Sequence, residues 1–262
     1  MCKTRAMTIP GYMMLAFAFA TGSVVGSFVT LVADRWPRGE DWVSSCSRCQ
    51  SCGRRLRPAQ MIPLISFAMQ SGRCRWCGVP LPADLWLGEL GGGVVAMLAL
   101  SCGESGAAIA VLAVFGWALL LLALLDARHL WLPDAVTLPL CIAGLASAAL
   151  LPAPPLPERI LGAALGYASL ELVRRTYRLL REREGLGGGD PKLLAAIGAW
   201  LGATALPLIV LCAALLGLIW AGILTMRKTG IDNATPLPLG AFLAVTAICA
   251  MPFIYQSAQL VP

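Results

Sequence analysis

Charge is scarce in this chain. Asp, Glu, Lys and Arg make up 13% of its 262 residues, against about 25% in soluble globular domains, while 58% of the residues are hydrophobic. That balance excludes an ordinary water-soluble domain. Histidine is nearly missing: His129 is the single one, and beside an apolar run it reads as incidental rather than as a metal ligand or base. The sequence has no glycine-rich strand turn of the nucleotide-binding kind and no internal repeat. The net charge of +6 calls for no nucleic acid, because membrane topology and attraction to anionic lipid account for the arginines.

What is abundant is apolar sequence long enough to cross a bilayer. Such stretches lie at about 11–33, 86–102, 106–125, 134–151, 157–173, 191–206, 207–226 and 237–257, and they predict an all-α, polytopic membrane protein of about eight transmembrane helices. Lys and Arg in short loops stay cytoplasmic. With alternating crossings, seventeen of the twenty basic residues fall on one side, and only Lys3, Arg5 and Arg159 fall opposite. The N-terminus is therefore expected in the periplasm. A secretory signal is the other reading of Lys3, Arg5 and the run behind them, but the run continues to Ala33 and cleavage would send eight arginines outward. The expected organisation is an N-terminal tail and first helix at 1–33, a cytoplasmic cysteine-rich segment at 34–85 and a membrane-embedded domain at 86–262. The run Arg174–Glu184 reads as a solvated extension of the fifth helix, and Pro-rich 152–157 as a stiff outer turn.

Segment 34–85 is too short for a conventional core, so something must staple it. It carries Cys49-Gln50-Ser51-Cys52 and Cys74-Arg75-Trp76-Cys77, two C-x2-C pairs separated by 21 residues. Four thiolates in two short knuckles suit a structural, tetrahedral Zn2+, and a cytoplasmic location disfavours disulfides. Cys46 offers a second register, Cys46-x2-Cys49, which would leave Cys52 spare. Cys2, Cys102, Cys141, Cys212 and Cys249 read as small buried residues.

Two aspartates sit where a membrane protein tolerates them least. Asp126 ends the third apolar run, and Asp190 follows Gly187-Gly188-Gly189 at the start of the sixth, 64 residues later. Ionisable groups there are costly unless partnered or hydrated, and by default mark function. The predicted topology puts both at one depth. Two adjacent carboxylates share a proton, so that one serves as general base on a water and the other as general acid toward the scissile group. Asp190 before Pro191 looks like an N-cap; the helix dipole then assigns the negative charge to Asp190 and the proton to Asp126. The bland readings are a cap for Asp190 and an ion pair with Arg128 for Asp126. Asp134 after Pro133 reads as the cap of the fourth helix. Acidic residues beside broken helices also suit a membrane transporter or channel, although such sites lie nearer the midplane, and a zinc-stapled scaffold without chemistry is a third reading.

Five features in order resemble the prepilin peptidase, or type IV leader peptidase, family. Gly26-Ser27-Phe28 with Arg35-Trp36-Pro37 is similar to its first-helix signature, and Cys49, Cys52, Cys74 and Cys77 resemble its cytoplasmic tetrad. Ile62-Pro63-Leu64-Ile65-Ser66 and Gly72-Arg73-Cys74-Arg75 match the stretches between and around the cysteine pairs. Asp126 with Leu132-Pro133-Asp134 and Pro139 resembles its first catalytic motif, and Gly187-Gly188-Gly189-Asp190-Pro191-Lys192-Leu193 its second. The resemblance implies an aspartic endopeptidase of the bacterial inner membrane in which Asp126 and Asp190 remove short basic leaders from prepilins or pseudopilins, the substrates of type IV pilus and type II secretion systems, at the cytoplasmic face. Gly187, Gly189 and Lys192 are then candidate substrate-binding residues, and Glu89 matches a family glutamate. Many members also methylate the new N-terminus with S-adenosylmethionine. The chain departs from the family pattern at Thr30, Gln60-Met61 and Ser71, all in or near the region associated with that second activity.

Overall fold

A computed structural model describes residues 11–43, 47–49, 51–57, 60–182, 185–226 and 237–257. Among them are nine α-helices: α1 Gly11–Arg35, α2 Ile65–Met69, α3 Ala83–Cys102, α4 Gly106–His129, α5 Asp134–Ala146, α6 Leu156–Arg181, α7 Asp190–Leu201, α8 Leu206–Met226 and α9 Leu239–Ser257. Each of the eight apolar stretches is a helix, and α6 runs on through Arg181 as its charge spacing predicts. Five helices, α1, α3, α4, α8 and α9, are long and apolar enough to cross a membrane. The expected count of eight is not reached: α6, at 26 residues, is long enough but not apolar enough, and two others are too short. With 13 and 12 residues, α5 and α7 rise only about 20 and 18 Å, short of a hydrocarbon core of roughly 30 Å.

Helix α7 is short because it is interior. All but one of its residues are buried, so it needs no lipid-facing length. Its Trp200 stacks on Phe115 of α4, centroids 4.4 Å apart, while its indole N–H donates to the Leu140 carbonyl at 2.8 Å and its own carbonyl accepts from the Tyr255 hydroxyl at 2.8 Å. An aromatic body and a satisfied polar edge lock α4, α5, α7 and α9 around one point. Against α6, glycine sets the distance: a Cβ on Gly162 would lie 2.4 Å from the Gly198 carbonyl oxygen, and one on Gly198 2.2 Å from that of Gly162. Helices without a hydrophobic drive to associate rely on such backbone approach.

Helix ends gather in two groups. The C-terminal ends of α1 and α4 meet the N-terminal end of α3, because Arg128 pairs with Asp84 at 2.5 Å and Asp34 at 3.8 Å; Trp36 and Trp131 also meet edge to face, 5.5 Å apart. At the other group, Thr204 after α7 donates to Glu158 of α6 at 2.7 Å, and Gln256 of α9 donates to the Ser101 carbonyl of α3 at 3.3 Å. Arg159, one of the basic residues the charge rule leaves on the far side, is fully buried there. Its guanidinium donates to the carbonyls of Gly144, Leu151, Ala153 and Pro154 and to the Ser147 hydroxyl, so it clamps a turn rather than setting orientation. Among the scattered cysteines, Cys102 is buried, Cys141 and Cys212 are partly so, and Cys249 is exposed, against the expectation of uniform burial; Cys2 lies outside the described residues.

Candidate active site

Asp126 occupies the last turn of α4. Leu130 ends that helix in the left-handed conformation, with its N–H bonded to the Asp126 carbonyl at 2.9 Å, and Leu132-Pro133 turns the chain into α5. The Asp126 carboxylate is only 5% exposed. It accepts from the backbone N–H of Ala241 at 2.8 Å and also from that of Gly240. These are N–H groups of the first turn of α9, which have no partner inside their own helix and carry the positive end of its dipole.

Gly240 makes that approach possible. A Cβ there would fall 3.0 Å from the Asp126 Oδ2 and 2.8 Å from Leu132 Cδ1. Leu132 also touches the other aspartate's element, because a Cβ on Gly189 would lie 2.6 Å from the Leu132 Cβ. The leucine is thus wedged between the loop before α7 and the start of α9.

Asp190 is the first residue of α7, 6% exposed. The cap position of α7 is taken by Gly189; the Asp190 side chain turns back and accepts from the N–H of Gly187, whose missing Cβ would sit 3.1 Å from Oδ2. The N-cap expected of Asp190 is therefore wrong: the helix already begins at Asp190, the Leu193 N–H goes to the Gly189 carbonyl at 2.9 Å, and the glycine loop offers the carboxylate a donor on the upstream side. Asp126 is the charged neighbour that acts on Asp190 through space, so two buried carboxylates from different helices do share one region. As the first residue of α7, Asp190 still sits at the positive end of that helix, the place on which the dipole argument rests. Asp126 meets a helix N-terminus as well, that of α9, whose N–H it accepts directly.

Two other expectations also change. Asp126 is not paired with Arg128, which is drawn to the carboxylates of α1 and α3. Asp134 starts α5 without capping it; both its oxygens accept from Lys192 Nζ at 2.7 Å, linking the two aspartate motifs a second time. Gly188 faces Arg174, itself held by Glu171.

Sequence reasoning missed Gly240 and Ala241, the latter 115 residues from Asp126. The available signal was Pro238-Leu239-Gly240 at the mouth of an apolar run, a helix start with a small residue. It also left Glu89 without a role. The buried Glu89 carboxylate accepts from the Ser27 hydroxyl of α1 at 2.9 Å and from the Leu64 N–H at 2.7 Å, fastening the cysteine-rich segment to the α1–α3 pair.

The four cysteines of that segment meet. Ligand atoms of Cys49, Cys52, Cys74 and Cys77 all lie within 4.8 Å of one another. Cys49 and Cys77 Sγ are 3.8 Å apart, as expected at about 3.8 Å for two sulfurs each 2.3 Å from a tetrahedral ion. Each pair is followed by glycine, Gly53 and Gly78, with φ of 68° and 71°. Both glycine N–H groups bond the first cysteine's carbonyl at 2.9 Å, so the two halves are built alike. The N–H groups of Cys77 and then Trp76 donate to the Cys74 sulfur and bring its thiol down to about 6. Cys52 is in the cluster; Cys46, the other register, lies outside the described residues.

Residues 113–222 match the profile of the type IV leader peptidase family, and residues 20–105 that of the bacterial peptidase A24 N-terminal domain. A Burkholderia pseudomallei protein named prepilin leader peptidase/N-methyltransferase is 37% identical over 262 residues, covering 90% of this chain and 84% of that one. Proteins of the same name from Pseudomonas aeruginosa and Dickeya chrysanthemi are 33% and 37% identical, covering 90% and 92% of this chain and 90% and 93% of theirs. No solved structure matches. Since relatives at this identity span nearly the whole chain and both profiles fall on the two halves that carry the cysteine cluster and the aspartates, the chain belongs to the type IV leader peptidase family.

Proposed function

We propose that this protein is a prepilin leader peptidase of the bacterial inner membrane, cutting short basic leaders from prepilins or pseudopilins at the cytoplasmic face with Asp126 and Asp190 as the catalytic pair. One observation carries the reading: two buried carboxylates, brought from α4 and α7 to one end of the bundle, each held by backbone N–H groups rather than by a cation. A carboxylate neutralised by Lys or Arg would be a poor base, whereas one held by amides keeps a lone pair for a water.

In the reaction one carboxylate takes a proton from water as that water attacks the scissile carbonyl. The other protonates the departing amine. The α9 N-terminus fixes the Asp126 carboxylate in place, and Gly187 does so for Asp190; Gly187 and Gly189 leave room for an extended substrate backbone. Lys192, paired with Asp134, would reach a substrate carboxylate by exchanging partners.

In this reading α1 and α3 to α9 all traverse, the N-terminus is periplasmic, segment 34–85 is cytoplasmic, and 86–262 forms the peptidase domain. The four cysteines hold a structural Zn2+, whose contribution is to close the segment on itself. Methylation of the new N-terminus from S-adenosylmethionine is the second activity, on the strength of the relatives' shared name.

The test is coexpression with a prepilin, followed by mass measurement of its N-terminus. Removal of the leader is expected, with a methyl group added to the new terminus; an intact leader overturns the proposal, and a trimmed but unmethylated one overturns only the second activity. Gly240→Val is expected to lower cleavage about a hundredfold by displacing the Asp126 carboxylate, and to lower stability by about 1 to 3 kcal/mol because its side chain also overpacks Leu132. Full activity in this variant would mean that the α9 contact plays no part in catalysis.

A further inference from the structure

The cysteine-rich segment has a feature that neither zinc binding nor proteolysis uses. Between Asp41 and Asp84 there is no acidic residue, yet six arginines occur: Arg48, Arg54, Arg55, Arg57, Arg73 and Arg75. The segment therefore cannot neutralise itself. Two adjoining clefts concentrate this charge. One, of about 410 Å³, is lined by Arg73 and Arg75 with Ser66 and Gln70, and a second, of about 280 Å³, by Arg57, Arg75 and Trp76; Gln60 lines both.

Beside these clefts the segment exposes apolar side chains. Met61, Ile62, Ile65 and Met69 are 48%, 47%, 57% and 81% exposed. Ile65 and Met69 are one turn apart on α2 and share a face, and Met69 also borders the larger cleft. Their height relative to the membrane is set by Glu89. That residue lies six positions into α3, about 9 Å along it, and holds the Leu64 N–H while accepting from Ser27. Residues 62–65 are thereby pinned against the flanks of two membrane-capable helices, toward the ends from which the segment emerges.

We infer that the cysteine-rich segment is a membrane-surface module whose ligand is anionic phospholipid: Ile62, Ile65 and their neighbours enter the interface while Arg57, Arg73 and Arg75 receive phosphate headgroups. Apolar residues below and arginines above are what an interfacial element requires. The methyl donor is a poorer fit to these clefts. S-adenosylmethionine brings a sulfonium and an ammonium against one carboxylate, and three arginines without an acidic residue repel that net positive charge.

The experiment is hydrogen–deuterium exchange of residues 60–69 in the full-length, zinc-loaded protein. It compares nanodiscs of phosphatidylcholine alone, nanodiscs with phosphatidylglycerol added, and nonionic detergent containing inorganic phosphate. Exchange is expected to slow roughly tenfold or more in the anionic discs relative to the neutral ones, to recover partly in high salt, and to be unaffected by phosphate in detergent. The R57Q/R73Q/R75Q variant, checked for retained zinc, should lose the difference between discs. Because Arg73 and Arg75 flank Cys74, a second variant, Ile62→Ser with Ile65→Ser, leaves the arginines and the metal site alone and should lose most of the protection. Equal exchange in the two disc compositions overturns the inference, as does protection by inorganic phosphate alone or full protection in both variants.

Discussion

Replacing Asp126 or Asp190 by Asn is expected to reduce leader removal by about a hundredfold to ten-thousandfold. Asn keeps the shape of the side chain and one acceptor oxygen. At position 126 it can still take the Ala241 N–H, and at position 190 that of Gly187. The packing of α4, α7 and α9 should therefore survive, and the loss would report on proton transfer rather than folding. Because the two groups work as a unit, the double variant should be about as inactive as either single one, not the product of the two losses. The measurement is the fraction of substrate cleaved with time in vesicles, alongside thermal unfolding of each purified variant. Near wild-type cleavage by either single variant would remove the dyad from the mechanism.

Replacing Cys74 by Ser is expected to strip the metal. In purified wild-type protein, metal analysis should find about one zinc per chain; in the variant it should find almost none. A structural zinc of this kind carries apparent binding free energy of roughly 10 to 16 kcal/mol in isolated finger peptides, which is also folding free energy. The cysteine-rich segment has little else to replace it. Around the cluster the structure offers two isolated bridges, Arg48 with Arg55 and Arg73 with Pro80, and the five-residue α2. Limited proteolysis should accordingly cut within 47–81 in the variant and spare the membrane helices. Stability and metal content should fall before the acid chemistry does, since Asp126 and Asp190 draw their hydrogen bonds from α9 and the glycine loop. A wild-type protein purified without zinc would end the idea of a metal staple.

The cysteine cluster and the five membrane-capable helices were legible because each rests on local pattern. Two C-x2-C pairs bend the same way wherever they occur, and the glycine after each pair, Gly53 and Gly78, repeats the turn. An apolar run of about twenty residues has few alternatives to a helix in a bilayer. The aspartates were legible for a related reason: a carboxylate at the end of such a run has a cost that sequence alone exposes. Lengths were misleading for α5 and α7, because hydropathy does not separate a helix facing lipid from one enclosed by protein.

The amino-acid sequence by itself determined that this is a multi-helix membrane protein with two cysteine knuckles and two misplaced-looking carboxylates, since hydropathy, knuckle spacing and the cost of buried charge act over a few neighbouring residues. Only the tertiary structure decided what holds those carboxylates. Asp126 finds its donors on α9, Asp190 finds its donor upstream instead of in its own helix, and Arg128 joins α1 and α3 rather than Asp126. A backbone N–H has no sequence signature, and every donor looks alike until the fold brings one of them to within 2.8 Å of the acid. The partners of buried polar groups are settled by proximity in space, and in this chain the deciding proximity spans 115 residues.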